Sequence, residues 1–182
     1  MLLTITALFT ALITVGTAMI QIPVGNGYAH FGDSMIYLSA CILPGPCAVF
    51  AAAVGAVIAD LATGFAIYAP ATAIIKALNA LPFVLMRVYL KKKKKDAKIL
   101  NWQICLMLVP TTLVTVFGYL IAEYIMFGQE FAFVSAFTSG WLQPVGSLAV
   151  FVILAVALDK INFKKNIMKE LSGFRRDKEI HT

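Results

Sequence analysis

Ala71-Thr72-Ala73-Ile74-Ile75-Lys76-Ala77-Leu78-Asn79-Ala80-Leu81-Pro82-Phe83-Val84-Leu85-Met86-Arg87-Val88-Tyr89-Leu90 runs directly into Lys91-Lys92-Lys93-Lys94-Lys95-Asp96-Ala97-Lys98. The apolar part has the roughly 20 residues that a helix needs to cross the hydrocarbon core of a bilayer. The lysine run that stops it belongs on the cytoplasmic side, where short loops collect Lys and Arg. No Lys or Arg precedes Lys76, and none lies between Ile99 and Asp159. The remaining basic residues sit mainly in the tail from Lys160 to Lys178. The net charge of +6 is therefore distributed to orient membrane spans and does not point to nucleic acid. Contact of Lys91–Lys95 with anionic lipid is compatible with it.

Composition agrees. Of 182 residues, 60% are hydrophobic, and the mean hydropathy is +0.87. A soluble domain of this size would leave much of that apolar surface in water. The first stretch has no basic n-region and no small-residue cleavage site, so it is expected to be a span rather than a signal peptide.

Working outward from the lysine run, segments are expected at about Leu2–Ile22, Phe31–Leu43, Cys47–Thr63, Ala71–Leu90, Ile99–Met126 and Phe137–Leu158. Turn signals separate them at Pro23–Gly27, Pro44-Gly45-Pro46, Gly64–Pro70 and Gly128–Ser135. This predicts an all-α integral membrane protein, a bundle of six transmembrane helices with both ends inside. Residues 1–160 form the bundle and 161–182 a basic cytoplasmic tail. A five-span arrangement would put one basic cluster outside. The outer loops then carry Asn26, Tyr28, His30, Tyr68 and Glu130, so a ligand site is expected at that end.

Ionisable and amide side chains in such a bundle are costly to bury and are functional candidates by default. His30, Phe31 and Asp33 join the first outer loop to the second segment, and Asp33 could equally cap that helix. Lys76 could pair with Asp60 across an outer loop, or donate to a ligand. Asn79 shares the face of Lys76. Glu123 is a further acidic candidate. Trp141 could stack on a ligand ring or anchor at the membrane interface, while Gln143 needs partners inside the bundle. Tyr68 adds an aromatic wall. Ala7 and Ala11, one turn apart, let another helix approach closely. Cys41, Cys47 and Cys105 read as small hydrophobes. There is no Walker phosphate loop, Gly-x-Ser-x-Gly, His-Glu-x-x-His or Cys-x-x-Cys, so neither catalysis nor a metal is expected.

The order of several motifs is familiar. Tyr28-Ala29-His30-Phe31-Gly32-Asp33-Ser34-Met35-Ile36-Tyr37-Leu38 is followed by Leu43-Pro44-Gly45-Pro46 and Ala59-Asp60-Leu61. Tyr68-Ala69-Pro70-Ala71-Thr72 and Ile75-Lys76-Ala77-Leu78 come next. With Ala7-Leu8-Phe9-Thr10-Ala11, these resemble the substrate-binding S components of energy-coupling factor (ECF) vitamin transporters, over about Ile5 to Asp159. The resemblance looks closest to the hydroxymethylpyrimidine and vitamin B6 type. It implies a non-catalytic subunit of a prokaryotic plasma membrane, holding no cofactor itself. Its partners would be a transmembrane coupling subunit and two ATP-binding-cassette ATPases that bind ATP-Mg. The cargo would be a small heteroaromatic vitamin, contacting residues drawn from His30, Phe31, Asp33, Tyr68, Lys76, Asn79, Trp141 and Gln143. Ala7 and Ala11 would dock the coupling subunit. Related S components often carry an asparagine where Gly140 stands. An S component for another vitamin, such as riboflavin, is one alternative. A structural membrane subunit or a small-molecule channel is another.

Overall fold

The computed structural model describes residues 1–24 and 27–170, with side chains undescribed at 23–29, 138 and 139. Asn26, the side chain of Tyr28 and the tail beyond residue 170 lie outside the described residues.

Helix α1 spans Leu2–Ala18 and leads into a hairpin of β1 (Gln21–Val24) and β2 (Gly27–His30). Helices α2 (Gly32–Ile42), α3 (Gly45–Thr63) and α4 (Ala69–Lys92) follow, with a 3-10 turn at Ala66–Tyr68. The second half comprises α5 (Trp102–Leu106), α6 (Leu108–Phe127), α7 (Gln129–Ser135) and α8 (Trp141–Lys160), with a π-turn at Ala136–Gly140. Residues 163–170 are helical again.

Among the described residues, four stretches are long and apolar enough to cross a membrane: Gly45–Thr63, Ala66–Lys92, Trp102–Phe127 and Trp141–Lys160. Helix α1 is apolar over 17 residues. Helix α2 differs from the expected span. Its 11 residues cover about 16 Å at 1.5 Å each, roughly half the hydrocarbon core. Apart from Met35 the whole helix is buried, so it is a central strut rather than a lipid-facing helix.

Three local outcomes depart from the expected map. The first turn signal sits in an antiparallel hairpin, with Ile22 opposite Ala29, a local pairing in an otherwise helical membrane fold. The fifth segment breaks at Met107, just ahead of Pro110, which has no N–H to continue the ladder. The expected loop 128–135 is helix α7. Gly128 at φ +91° ends α6, but no breaker follows it until Gly140. The π-turn lies immediately before Pro144, whose missing N–H disturbs regular i→i−4 pairing there.

Small residues set the packing. Ala48, Ala51, Ala52, Gly55, Ala56 and Ala59 form the buried stripe of α3, while Phe50, Ile58 and Leu61 on its other side are exposed. A Cβ on Gly55 would come within 2.8 Å of the Thr10 carbonyl oxygen on α1. Thr14 Oγ1 also donates to the Gly55 carbonyl at 2.9 Å. Contact this close is how helices associate where lipid supplies no hydrophobic drive.

At mid-height, Tyr37 stacks on Phe83 with ring centroids 4.8 Å apart. Phe151 meets both edge-on at 5.8 Å. This plug ties α2, α4 and α8 together and separates two poles. One pole carries the hairpin, the 3-10 turn and α7. The other carries the lysine run. There Asp159, still inside α8, accepts the Ile99 and Leu100 N–H groups at 2.7 and 2.9 Å. Arg87 donates to the Leu43 carbonyl, and Lys164 reaches Asp96 at 2.6 Å.

Candidate ligand-binding site

A cavity opens at the hairpin pole, with about 750 Å³ of atom-free space including its mouth. It lies where the ends of α1 and α3 meet the beginnings of α4 and α8 and the last turns of α6.

Its ionic wall is built on Lys76. The ammonium donates to Asp33 Oδ1 at 2.6 Å, and both side chains are buried. Gln143 Nε2 donates to the other Asp33 oxygen at 2.8 Å. Asp33 therefore joins α4 to α8 from the first turn of α2. The expected Asp60–Lys76 pair is not the one formed. Asp33 already holds the ammonium, and Asp60 Oδ2 is buried without a hydrogen-bond partner among the described residues. Asp60 nevertheless lines the cavity. An acceptor in this condition is costly unless a donor arrives.

His30 lines the cavity beside this wall. Its Nδ1 accepts the Gly32 N–H at 3.2 Å, which requires that nitrogen to be unprotonated. Burial first, then the positive charge of Lys76, push its pKa down to about 4, and Asp33 opposes them in part. The Ser147 hydroxyl holds the His30 carbonyl at 3.1 Å.

The opposite wall is aromatic and comes from Phe65, Tyr68 and Tyr119. Lys76 Nζ stands 5.3 Å from the Tyr119 ring centroid, within cation–π range. The Tyr119 hydroxyl and Thr72 Oγ1 are 3.2 Å apart. Nearer the mouth, Glu123 Oε1 accepts from Ser135 at 3.0 Å and from Tyr68 at 3.4 Å.

Of the residues proposed from sequence, His30, Tyr68, Lys76 and Gln143 line the cavity. Asp33 lies behind Lys76 and Gln143. Asn79 lies one layer deeper, where it donates to Thr115 at 2.9 Å. Phe31 packs toward Gly146, where an added Cβ would meet its ring at 3.0 Å. Trp141 is 46% exposed and outside the lining. Ala7 and Ala11 lie on the exposed side of α1, away from the cavity. Thr17, Phe65, Thr72, Thr115, Tyr119 and Ser135 line the cavity without having been singled out. A polar stripe does mark part of this set: Thr111, Thr115, Tyr119 and Glu123 recur every fourth position of α6, on one helical face. Among the described residues no cluster of His, Cys, Asp and Glu is arranged to hold a metal.

Residues 2–161 match the family model described as ECF-type riboflavin transporter, S component, and the chain belongs to that family. It is thus a membrane protein of vitamin transport, a substrate-binding subunit of the ECF type. No match to a curated protein reaches significance. The family match overturns the hydroxymethylpyrimidine and vitamin B6 assignment. The structure gives a physical reason. Asp33 and Lys76, which lie in the motifs of the general family resemblance, bind each other, and the Pro-Gly-Pro turn starts a helix. The ion pair and the turn thus have scaffold roles of their own.

Proposed function

We propose that this protein binds riboflavin in the cavity at the hairpin pole and presents it for ATP-driven uptake. The carrying observation is the division of one cavity into an aromatic wall and an ionic wall whose acceptor, Asp60 Oδ2, has no hydrogen-bond partner among the described residues. Riboflavin has the complementary division. Its flat tricyclic ring stacks on Tyr119, and Tyr68, whose ring is tilted 56° to Tyr119, meets it at an angle. A pyrimidine-edge carbonyl accepts from Lys76, and the adjacent imide N3–H donates to Asp60. The ribityl hydroxyls meet the Glu123–Ser135 belt.

The remaining architecture follows the same reading. The chain crosses a prokaryotic plasma membrane as six segments, α2 being the short central one, with the lysine pole inside. Residues 161–182 form the cytoplasmic tail, whose first turns reach α4 through Met168 and the loop after α4 through Lys164. A transmembrane coupling subunit and two ATPases, which bind ATP-Mg, supply the energy. A channel is disfavoured because the Tyr37–Phe83–Phe151 plug lies across the path between the poles.

Calorimetric titration of the purified chain in detergent against a vitamin panel tests the proposal. Tight binding of riboflavin, with pyridoxine and hydroxymethylpyrimidine silent, is the expected result. A folded protein that ignores riboflavin, or prefers another vitamin, overturns it.

A further inference from the structure

We propose that the lysine pole carries a second binding site, for a phosphate-type oxyanion, built from the ends of α4 and the helix at 163–170. A cavity there is lined by Lys91, Lys94, Asp96, Ala97, Lys164, Lys165 and Met168, with about 740 Å³ of atom-free space including its mouth.

Its charges do not cancel. The one carboxylate of the lining, Asp96, is already occupied on both oxygens, by Lys164 at 2.6 Å and by the buried Arg87 at 3.3 Å. Among the described residues no ion pair neutralises Lys91, Lys94 or Lys165. Arg87 also points Nη2 at the Met168 sulfur, 3.5 Å away, and a thioether is a weak acceptor. Several lysines around a depression suit the oxygens of a phosphate, with the buried Arg87 adding positive charge behind the lining.

Lys91, Lys94 and Lys165 are exposed at the rim, while Lys164 beneath them is buried. Here the chain folds them together. Lys94 adopts φ +56°, the left-handed region that favours glycine, and Lys95 N–H closes the turn onto the Leu90 carbonyl at 2.9 Å. That reversal brings the run against Lys164, whose ammonium also holds the Lys98 carbonyl at 3.1 Å. Val88, one turn before Lys91, is exposed, as are Leu85 and Tyr89. A lipid headgroup in the depression would thus have apolar helix surface beside it for its acyl chains. Free phosphate would use the same lysines without that surface.

The test uses the full chain in phosphatidylcholine nanodiscs with or without phosphatidylglycerol, and native mass spectrometry of the lipid retained after release. Wild type should retain phosphatidylglycerol over phosphatidylcholine. Lys94→Gln/Lys165→Gln should cut that retention about 30-fold, at roughly fivefold per lysine. Lys92→Gln/Lys95→Gln, the same charge loss outside the lining, should leave it nearly unchanged. Equal loss in both double variants would reduce the effect to bulk charge and overturn the site. A calorimetric titration with inorganic phosphate identifies the source. Phosphate binding that Lys94→Gln/Lys165→Gln abolishes, without lipid preference, keeps the oxyanion site and assigns it to the free ion. Silence toward both probes, with unchanged circular dichroism, overturns it.

Discussion

Lys76 Nζ and Asp33 Oδ1 are 2.6 Å apart, and neither side chain reaches solvent. The pair joins α4 to α2, and through Gln143 it extends to α8. Buried ion pairs of this kind are asymmetric in their energetics. Forming one gains little over an apolar substitute, but removing one member strands the other's charge.

Lys76→Met should therefore destabilise the protein by about 3–5 kcal/mol, as should Asp33→Leu. The double variant should lose much less than the sum, because no charge is left unpaired. Thermal unfolding in detergent for the four proteins of the cycle measures this. Additive losses would show that the two groups do not act as a pair. The same geometry changes what Lys76→Met says about ligand binding. A loss of affinity counts only when the fold is shown to survive, or when the double variant restores stability but not binding.

Asp60 supplies a cleaner test of ligand contact, since it is not part of that pair. Asp60→Asn keeps the shape and removes the charged acceptor. Riboflavin affinity should fall roughly 10- to 100-fold, the usual worth of a hydrogen bond to a charged group. Methylation of the flavin at N3 should weaken binding to wild type by a similar factor, and do so much less in Asp60→Asn. An N3-methyl penalty that is the same in both proteins would detach Asp60 from the imide while leaving the riboflavin reading intact.

His30 gives the site a pH dependence. Its folded pKa is about 4, against an ordinary value of 6.5. Between these values the unfolded chain takes up the proton and the folded chain does not, so acid favours unfolding. Stability from this group is complete above pH 6.5 and declines as pH falls toward 4, by up to about 1.4 kcal/mol per pH unit. His30→Gln should flatten the stability curve over that window. Wild-type and His30→Gln curves of the same slope there would mean that the imidazole takes up its proton alike in the folded and unfolded chain, against its role as acceptor for Gly32 N–H.

Much of this architecture was legible because it rests on local signals. The lysine run and the Pro44-Gly45-Pro46 turn each act through chain geometry or charge over a few residues. Helix α2 was harder. Its apolar run resembles a short span, and only the assembled bundle shows that nearly all of it is buried. Helix α7 is hidden in the sequence because Gly128 looks like the opening of a loop, whereas it merely redirects the chain. The partner of Lys76 depended on which of two aspartates the fold brings across, Asp33 or Asp60, and local spacing favoured the wrong one. Tyr119 and Thr115 come from the far side of the cavity, and their four-residue periodicity was the available clue. Ligand type was the least legible, because the motif that looked most specific is largely scaffold.

The first helix separates binding from transport. Ala7, Leu8 and Ala11 lie on its exposed side, and Leu3 on the same helix is 82% exposed. Phe9, Ile13 and Gly16 face inward. A bulky residue at Ala7 or Ala11 therefore adds volume outside the bundle, where lipid yields to it, and leaves the cavity untouched. If the coupling subunit packs there, it needs the close approach that two alanines one turn apart permit. Ala7→Trp/Ala11→Trp should keep riboflavin affinity within about twofold, because substitutions outside the core and the site cost little. Uptake by cells supplied with the coupling subunit and ATPases should nevertheless fall to background, and co-purification with the coupling subunit should be lost. Normal uptake by this variant would place the docking surface elsewhere on the bundle. Loss of affinity together with uptake would mean that α1 supports the cavity directly, through Thr17 at its end.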